Sequence, residues 1–314
     1  MTDRSHTDWA LVGLLFGVGL MAAAQFVKVS LTLEPLSAHY GRPVEAVAFF
    51  ITMVSVVGIL FGVVAGAVVA RLGTKPVILG ALALGALTAF LGALLPPYWL
   101  MIGLRMVEGM SHLAIVVAVP PTMAAAATPS DRPIVMSIWA MFFGVAFTIA
   151  ALTFPAILAW GGVPALFLAH GVGLASLGLI LWRLLPPTSG EPTEISYIKA
   201  HVEGYRSARL AGPGLVFLLY TLLFVASITF LPGELGRPEL AGILPLVSLA
   251  GTFAAGWLCK SVAPGRVMAL GYLFLVFGAL PLPFGIWWAS YPLFIGMGLV
   301  PGACFAALPA WNAG

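Results

Sequence analysis

The chain has 314 residues, of which 61% are hydrophobic and only 8% charged, where a soluble domain carries about 25% charge. So few polar side chains cannot coat a soluble core, and the solvent of this chain must be largely lipid. The formal charge of +3 is spread over loops with no basic face on any soluble domain, which excludes a nucleic-acid partner. The two cysteines, Cys259 and Cys304, sit in apolar surroundings and read as packing residues, so no disulfide framework and no metal site is expected.

Apolar runs long enough to cross a bilayer predict ten spans: 9 to 33, 45 to 70, 76 to 95, 98 to 122, 134 to 158, 163 to 185, 214 to 232, 240 to 260, 266 to 286 and 289 to 311. The first of these follows Asp3 and Asp8, and it reads as a spanning helix, not as a cleaved signal. On the second, Gly58, Gly62 and Gly66 form a stripe of small residues suited to close helix packing. Between the second and third, Arg71 and Lys75 flank Gly73 in a short polar turn. Residues 186 to 213 are the one long polar segment. They read as a linker that can form a surface amphipathic helix, giving domains at 1–185 and 214–314.

If the N-terminus lies in the cytoplasm, Arg4, Arg71, Lys75, Arg132, Arg183, Lys199, Arg206, Arg209, Lys260 and Arg266 all fall inside. Only Arg42 and Arg237 fall outside. That asymmetry is what the positive-inside rule requires, and it also supports the span count, because one missed helix would scramble it. Trp9, Tyr98, Trp99, Trp160, Trp182, Trp287 and Trp288 mark span ends as interface anchors.

Charge inside a span is costly, about 2.5–3.5 kcal/mol at mid-helix on insertion scales, so each such residue is a functional candidate. Arg105, Glu108 and His112 lie at i, i+3 and i+7 on one face of the fourth span, and Gln25 and Lys28 share a face of the first. Arg105 and Lys28 are suited to attract an anionic or strongly polar solute, and Glu108 or His112 to exchange a proton. The competing structural reading is an Arg105–Glu108 pair that neutralises itself and locks two helices, with Lys28 snorkelling to the surface. His170, alone on the sixth span, reads as a hydrogen-bonded packing residue.

An internal repeat bears on the architecture. "YWLMIGLRMVEG" (98–109) and "YPLFIGMGLVPG" (291–302) share half their positions at an offset of 193 residues, and "KPVILGALAL" (75–84) matches "RVMALGYLFL" (266–275) at an offset of 191. An offset near 190, with a linker after the sixth span, gives halves of six spans, not the five of drug/metabolite-type transporters.

With this topology, Gly66, Arg71, Gly73 and Lys75 fall on the loop pattern G-x-x-x-D-R-x-G-R-K, and Arg105 and Gly109 on a fourth-helix pattern, of the major facilitator superfamily, which the chain resembles over essentially its whole length. Ala70 stands where that family usually has aspartate, and Thr74 where it often has a basic residue. The resemblance implies an all-α polytopic membrane protein, with a six-helix N-terminal half and about four helices of the second half. It implies that two C-terminal helices are lacking, as in a fragment or shortened product. It further implies alternating access to a cavity between the halves, a gating role for the 66–75 loop, and a secondary transporter with no cofactor, in a bacterial-type inner membrane. The expected partners are a small-molecule solute, a coupling proton and the lipid bilayer. An exporter of lipophilic compounds, or a non-transporting protein on this scaffold, stays open. Enzyme chemistry is not expected, since no catalytic pattern such as H-E-x-x-H or a P-loop occurs.

Overall fold

The computed structural model describes residues 6–190, 202, 206, 223, 224, 226–228, 230–237 and 239–311. These residues form α1 (Trp9–Ser30), α2 (Leu33–Tyr40), α3 (Val44–Leu72), α4 (Thr74–Ala93), α5 (Tyr98–Ala125), α6 (Arg132–Ala140), α7 (Phe142–Leu184), α8 (Leu240–Leu258), α9 (Pro264–Ala279) and α10 (Ser290–Trp311), with two short 3₁₀ turns before α10. No strand occurs among the described residues. Lipid leaves no water to satisfy exposed backbone groups, so an apolar chain of this kind is helical wherever it crosses.

Seven of the described helices are long and apolar enough to span a membrane, and Gly242–Leu258 is a shorter apolar one. The expected fifth span covers α6 and the first arm of α7 and the sixth the second arm, α7 being broken at Gly161 and at Gly162, whose φ of 64° L-side chains rarely adopt. The expected first span ends earlier than foreseen, because α2 is a separate short helix closed by Gly41 at φ 59°. The seventh span, 214 to 232, and the linker helix lie mainly outside the described residues; those of the span that are described are helical.

By contacts the chain divides into two units. The first comprises Gly13–Thr122 and Ala146–His201, and the second Met1–Val12, Met123–Val145 and Val202–Gly314.

In the first unit α1 lies between α5 and the second arm of α7. Lys28, Gln25 and Ala22 meet Glu108, Ser111 and His112 in turn, so α1 and α5 run antiparallel. Met21 and Gly17 likewise face Gly173 and Leu177. A first span antiparallel to both the fourth and the sixth is what the span count requires. An apolar core of Val29, Leu36, Val47, Phe50, Met101 and Phe167, with Tyr40 and Tyr98 packed against it, closes the α2 end of this unit.

In the second unit α6 packs on α8 and α10, and Ser137 donates to the Gly302 carbonyl at 3.1 Å. The N-terminal segment is tied to the turn before α6. Thr7 donates to Asp131 at 2.7 Å, Lys260 donates to the same carboxylate at 3.1 Å, and the Asp8 amide donates to the Ala126 carbonyl at 2.9 Å. The Thr7 and Lys260 hydrogen bonds hold the Asp131 carboxyl below the usual aspartate range. A carboxyl lowered in the fold contributes stability above its ordinary value near about 3.9 and loses it as pH falls further. Amide-exchange protection at Asp8 and Thr128 is therefore expected to fall below about pH 4 in the wild type, and to be weak already at neutral pH in Asp131→Asn. Full protection in that variant would show that Asp131 does not hold the segment.

The internal repeat is visible as one packing device used twice. A Cβ on Gly109 of α5 would stand 2.6 Å from the Val54 carbonyl of α3, and a Cβ on Gly302 of α10 2.7 Å from the Thr252 carbonyl of α8. These two glycines are equivalent at the offset of 193. The stripe on the second span behaves otherwise. A Cβ at Gly58, Gly62 or Gly66 would meet nothing within 4 Å, so these glycines mediate no close helix contact among the described residues, contrary to the expectation from their spacing.

Candidate functional site

The site is built on α1. Its Lys28 is 1% exposed and places its ammonium against Glu108 of α5, so it does not snorkel. Glu108 also binds Arg105, one turn earlier on α5, and its two oxygens are thus divided between two cations. Arg105 is 0% exposed and also donates to backbone, with Nε on the Phe50 carbonyl of α3 at 3.2 Å and Nη2 on the Gln25 carbonyl of α1 at 2.5 Å. Each nitrogen of its planar fork, suited to a solute carboxylate, thus donates to one protein acceptor in this conformation.

His170, on the second arm of α7, belongs to the same group. Its Nδ1 is 2.9 Å from Lys28 Nζ, and its Nε2 is 2.9 Å from the Met21 carbonyl. The sequence signal was thin, since a lone histidine in an apolar span has no partner nearby in the chain. The Lys28 ammonium also lies 4.5 Å from the centre of the Phe167 ring.

Gln25 donates to Ser111 at 3.1 Å, and Ser111 passes its hydrogen to the Ala81 carbonyl of α4 at 2.7 Å. The approach of α4 depends on Gly85, where a Cβ would come 2.6 Å from the Ser111 hydroxyl. Gln25 Oε1 is buried without a hydrogen-bond partner among the described residues. His112 is half-buried, contacts the Ala22 carbonyl through Nδ1 at 3.1 Å, and stacks edge-on with Phe26. Gln25, Lys28, Arg105, Glu108 and His112 are thus brought together along one α1–α5 seam. Three helices, α1, α5 and α7, thus meet at Lys28, which faces the Glu108 carboxylate and the His170 ring.

The 66–75 loop lies apart from this cluster and docks on the chain just after α7. Thr188 caps α4 from outside, its hydroxyl accepting from the Lys75 amide at 2.9 Å, and Lys75 Nζ donates to the Leu185 carbonyl at 2.5 Å. Arg71 and Gly66 are exposed. Gly73 has φ 85°, and a Cβ there would stand 2.6 Å from the Thr188 carbonyl. Gly73→Ala should therefore lower stability by about 1–3 kcal/mol through left-handed strain and collision with Thr188, whereas Arg71→Ala should stay within about 0.5 kcal/mol of wild type. Thermal unfolding of both variants checks the contrast, and equal effects would show that the docking seen here is unimportant.

Comparison with known proteins agrees with this architecture. The sequence profile of the Major Facilitator Superfamily matches residues 13–313. No curated protein sequence matches the chain significantly. Among solved structures the chain is similar to the proton:xylose symporter XylE bound to 6-bromo-6-deoxy-D-glucose, with TM-score 0.72 and 14% identity over 96% of this chain and 81% of that one. It is also similar to the E. coli fucose:proton symporter FucP, with TM-score 0.71 and 13% identity over 94% and 83%. A third likeness is to the human organic anion transporter MFSD10 (TETRAN), with TM-score 0.65 and 18% identity over 96% and 90%. At such identities these likenesses speak for the fold alone. With the profile match over almost the whole chain, the helical architecture and the repeated glycine contacts, they lead to one conclusion: this chain is an all-helical, multi-pass membrane protein belonging to the Major Facilitator Superfamily, a family of transporters and not of enzymes.

Proposed function

We propose that the protein is a secondary active transporter that moves a small polar organic solute by alternating access, coupled to protons. The observation that carries this reading is the buried cluster of Lys28, Arg105, Glu108 and His170. Ionisable groups within spans are expensive, and they are retained where a solute or proton must be handled. A lock between helices needs one pair, whereas here a second cation shares the carboxylate of the first pair and a histidine faces that second cation. The xylose and fucose symporters named above are proton-coupled, and MFSD10 is an organic anion transporter. These likenesses favour sugars and organic anions as the solutes to try.

In this reading residues 1–185 and 214–314 are the two rocking halves joined by the 186–213 linker. Gln25, Lys28, Arg105, Glu108 and His112 serve translocation, and the loop of Gly66, Arg71, Gly73 and Lys75 supports the gate. The N-terminus lies in the cytoplasm of a cell with a bacterial-type inner membrane, as the basic loop residues favour.

The test is uptake into proteoliposomes of D-xylose, L-fucose and a set of mono- and dicarboxylates, with and without an imposed pH gradient. At least one solute should accumulate when the gradient is applied, and Glu108→Gln should abolish that accumulation. Wild-type accumulation in Glu108→Gln would overturn the coupling role of the cluster.

A further inference from the structure

Within that reading, the position of the coupling proton can be argued from hydrogen-bond valence. With Lys28, Arg105 and Glu108 all ionised, two cations share one carboxylate, and the cluster holds one uncompensated positive charge where its side chains are at most 2% exposed. An uncompensated buried charge is unfavourable, and the natural relief is loss of a proton. Arginine does not lose its proton in proteins, whereas a buried lysine does so readily.

The tautomer of His170 follows from its two contacts. A carbonyl only accepts, so Nε2, 2.9 Å from the Met21 oxygen, carries the hydrogen. Nδ1 is then a lone pair, and it faces Lys28 Nζ at 2.9 Å. Lys28 therefore has two acceptors before it, Glu108 Oε1 and His170 Nδ1. As an ammonium it satisfies both with two of its hydrogens, and the third has the Phe167 ring as neighbour. As a neutral amine it satisfies both with the two hydrogens it keeps. Lys28 can change charge without giving up either hydrogen bond, whereas protonation of Glu108 would leave two buried cations with no anion between them.

We infer that Lys28 Nζ is the group that takes up and releases the coupling proton, with His170 as its positioning residue. On release the N–H electron pair stays on nitrogen and the proton passes to water when the site opens. Arg105 and Glu108 remain a neutral pair throughout, and the cluster alternates between one net positive charge and none. The groups that face Lys28 and set this balance are Glu108 and Arg105 from α5, with His112 a turn beyond, His170 from α7, and Gln25 on α1 itself.

The assignment rests on the coupling proposed above, and the experiment separates the two. Protein carrying ¹⁵N-lysine is placed in lipid nanodiscs, and the Nζ signals are followed against pH, with Lys28→Arg used to identify Lys28. The Lys28 signal should pass from ammonium to amine within the physiological range. His170→Leu, which removes the acceptor, should displace that transition by about one pH unit or more, and His170→Gln, which retains an acceptor, should displace it less. In proteoliposomes, Lys28→Arg should lose gradient-driven accumulation of whichever sugar or carboxylate the wild type carries. A Lys28 signal that stays ammonium at every pH at which the protein is folded would overturn the assignment. So would uphill accumulation retained in Lys28→Arg. If Lys28 titrates but no probe is driven by a pH gradient, the proton site stands and the coupled-transport reading falls.

Discussion

Glu108→Gln is expected to cause the largest loss of stability of any single change at the cluster, on the order of 3–5 kcal/mol, because it deprives both Arg105 and Lys28 of their buried carboxylate. Against a total stability of about 5–15 kcal/mol, that is a large fraction. The arrangement also predicts the order of the other changes. Lys28→Met leaves Arg105 and Glu108 balanced and removes one donor, which serves Glu108 Oε1 and His170 Nδ1, so it should be the mildest. Arg105→Gln leaves Lys28 and Glu108 balanced but frees the Phe50 and Gln25 carbonyls, and should fall between. The double variant Lys28→Met/Glu108→Gln strands Arg105 alone, where Glu108→Gln strands Lys28 as well, and should therefore be more stable than Glu108→Gln alone. Thermal unfolding in detergent measures all four, and the cycle isolates the coupling. A double variant less stable than Glu108→Gln would mean that Lys28 is not held by this carboxylate.

The second large effect is expected in α10. A Cβ at Gly298 would be driven into the Ser248 carbonyl of α8 and would lie 2.7 Å from the Thr252 amide. Both obstacles are helix backbone, which cannot swing aside as a side chain can. Gly298→Ala should thus separate α8 from α10 and lower stability by at least about 1–3 kcal/mol. Gly103→Ala in α5 and Gly58→Ala in α3, where a Cβ meets open space, are the controls and should be neutral or slightly stabilising, since alanine favours helix over glycine by about 1 kcal/mol. If Gly58→Ala proved as harmful as Gly298→Ala, the second-span stripe would be a packing face after all.

The contrast between those stripes shows where sequence reading reached and where it stopped. Spans were legible because lipid forces long apolar runs into helices, and the repeat was legible because Gly109 and Gly302 do the same work in corresponding places. Four-residue glycine spacing, however, says that a helix can approach a neighbour, not which of its faces has one. Arg105, Glu108 and His112 were placed on one face by helical period alone, as was the pairing of Gln25 with Lys28. His170 escaped, because its relation to Lys28 exists only after the sixth span folds back along the first. The docking of the 66–75 loop on Thr188 was hidden for the same reason, being a contact across 113 residues.

Lys28 acquires its partners late. Glu108 lies 80 residues further along the chain and His170 142 residues. At a synthesis rate of roughly 5–20 residues per second, α1 therefore waits about 4–16 s for the carboxylate, holding an ammonium that lipid disfavours. During that interval the first span cannot be released fully into the bilayer. It is expected to remain beside the insertion machinery, or to sit with Lys28 drawn to the headgroups, until α5 emerges. The charge cluster thus acts as an assembly checkpoint, and nascent chains arrested before Glu108 should crosslink from α1 to the insertion channel, while chains arrested beyond α5 should not.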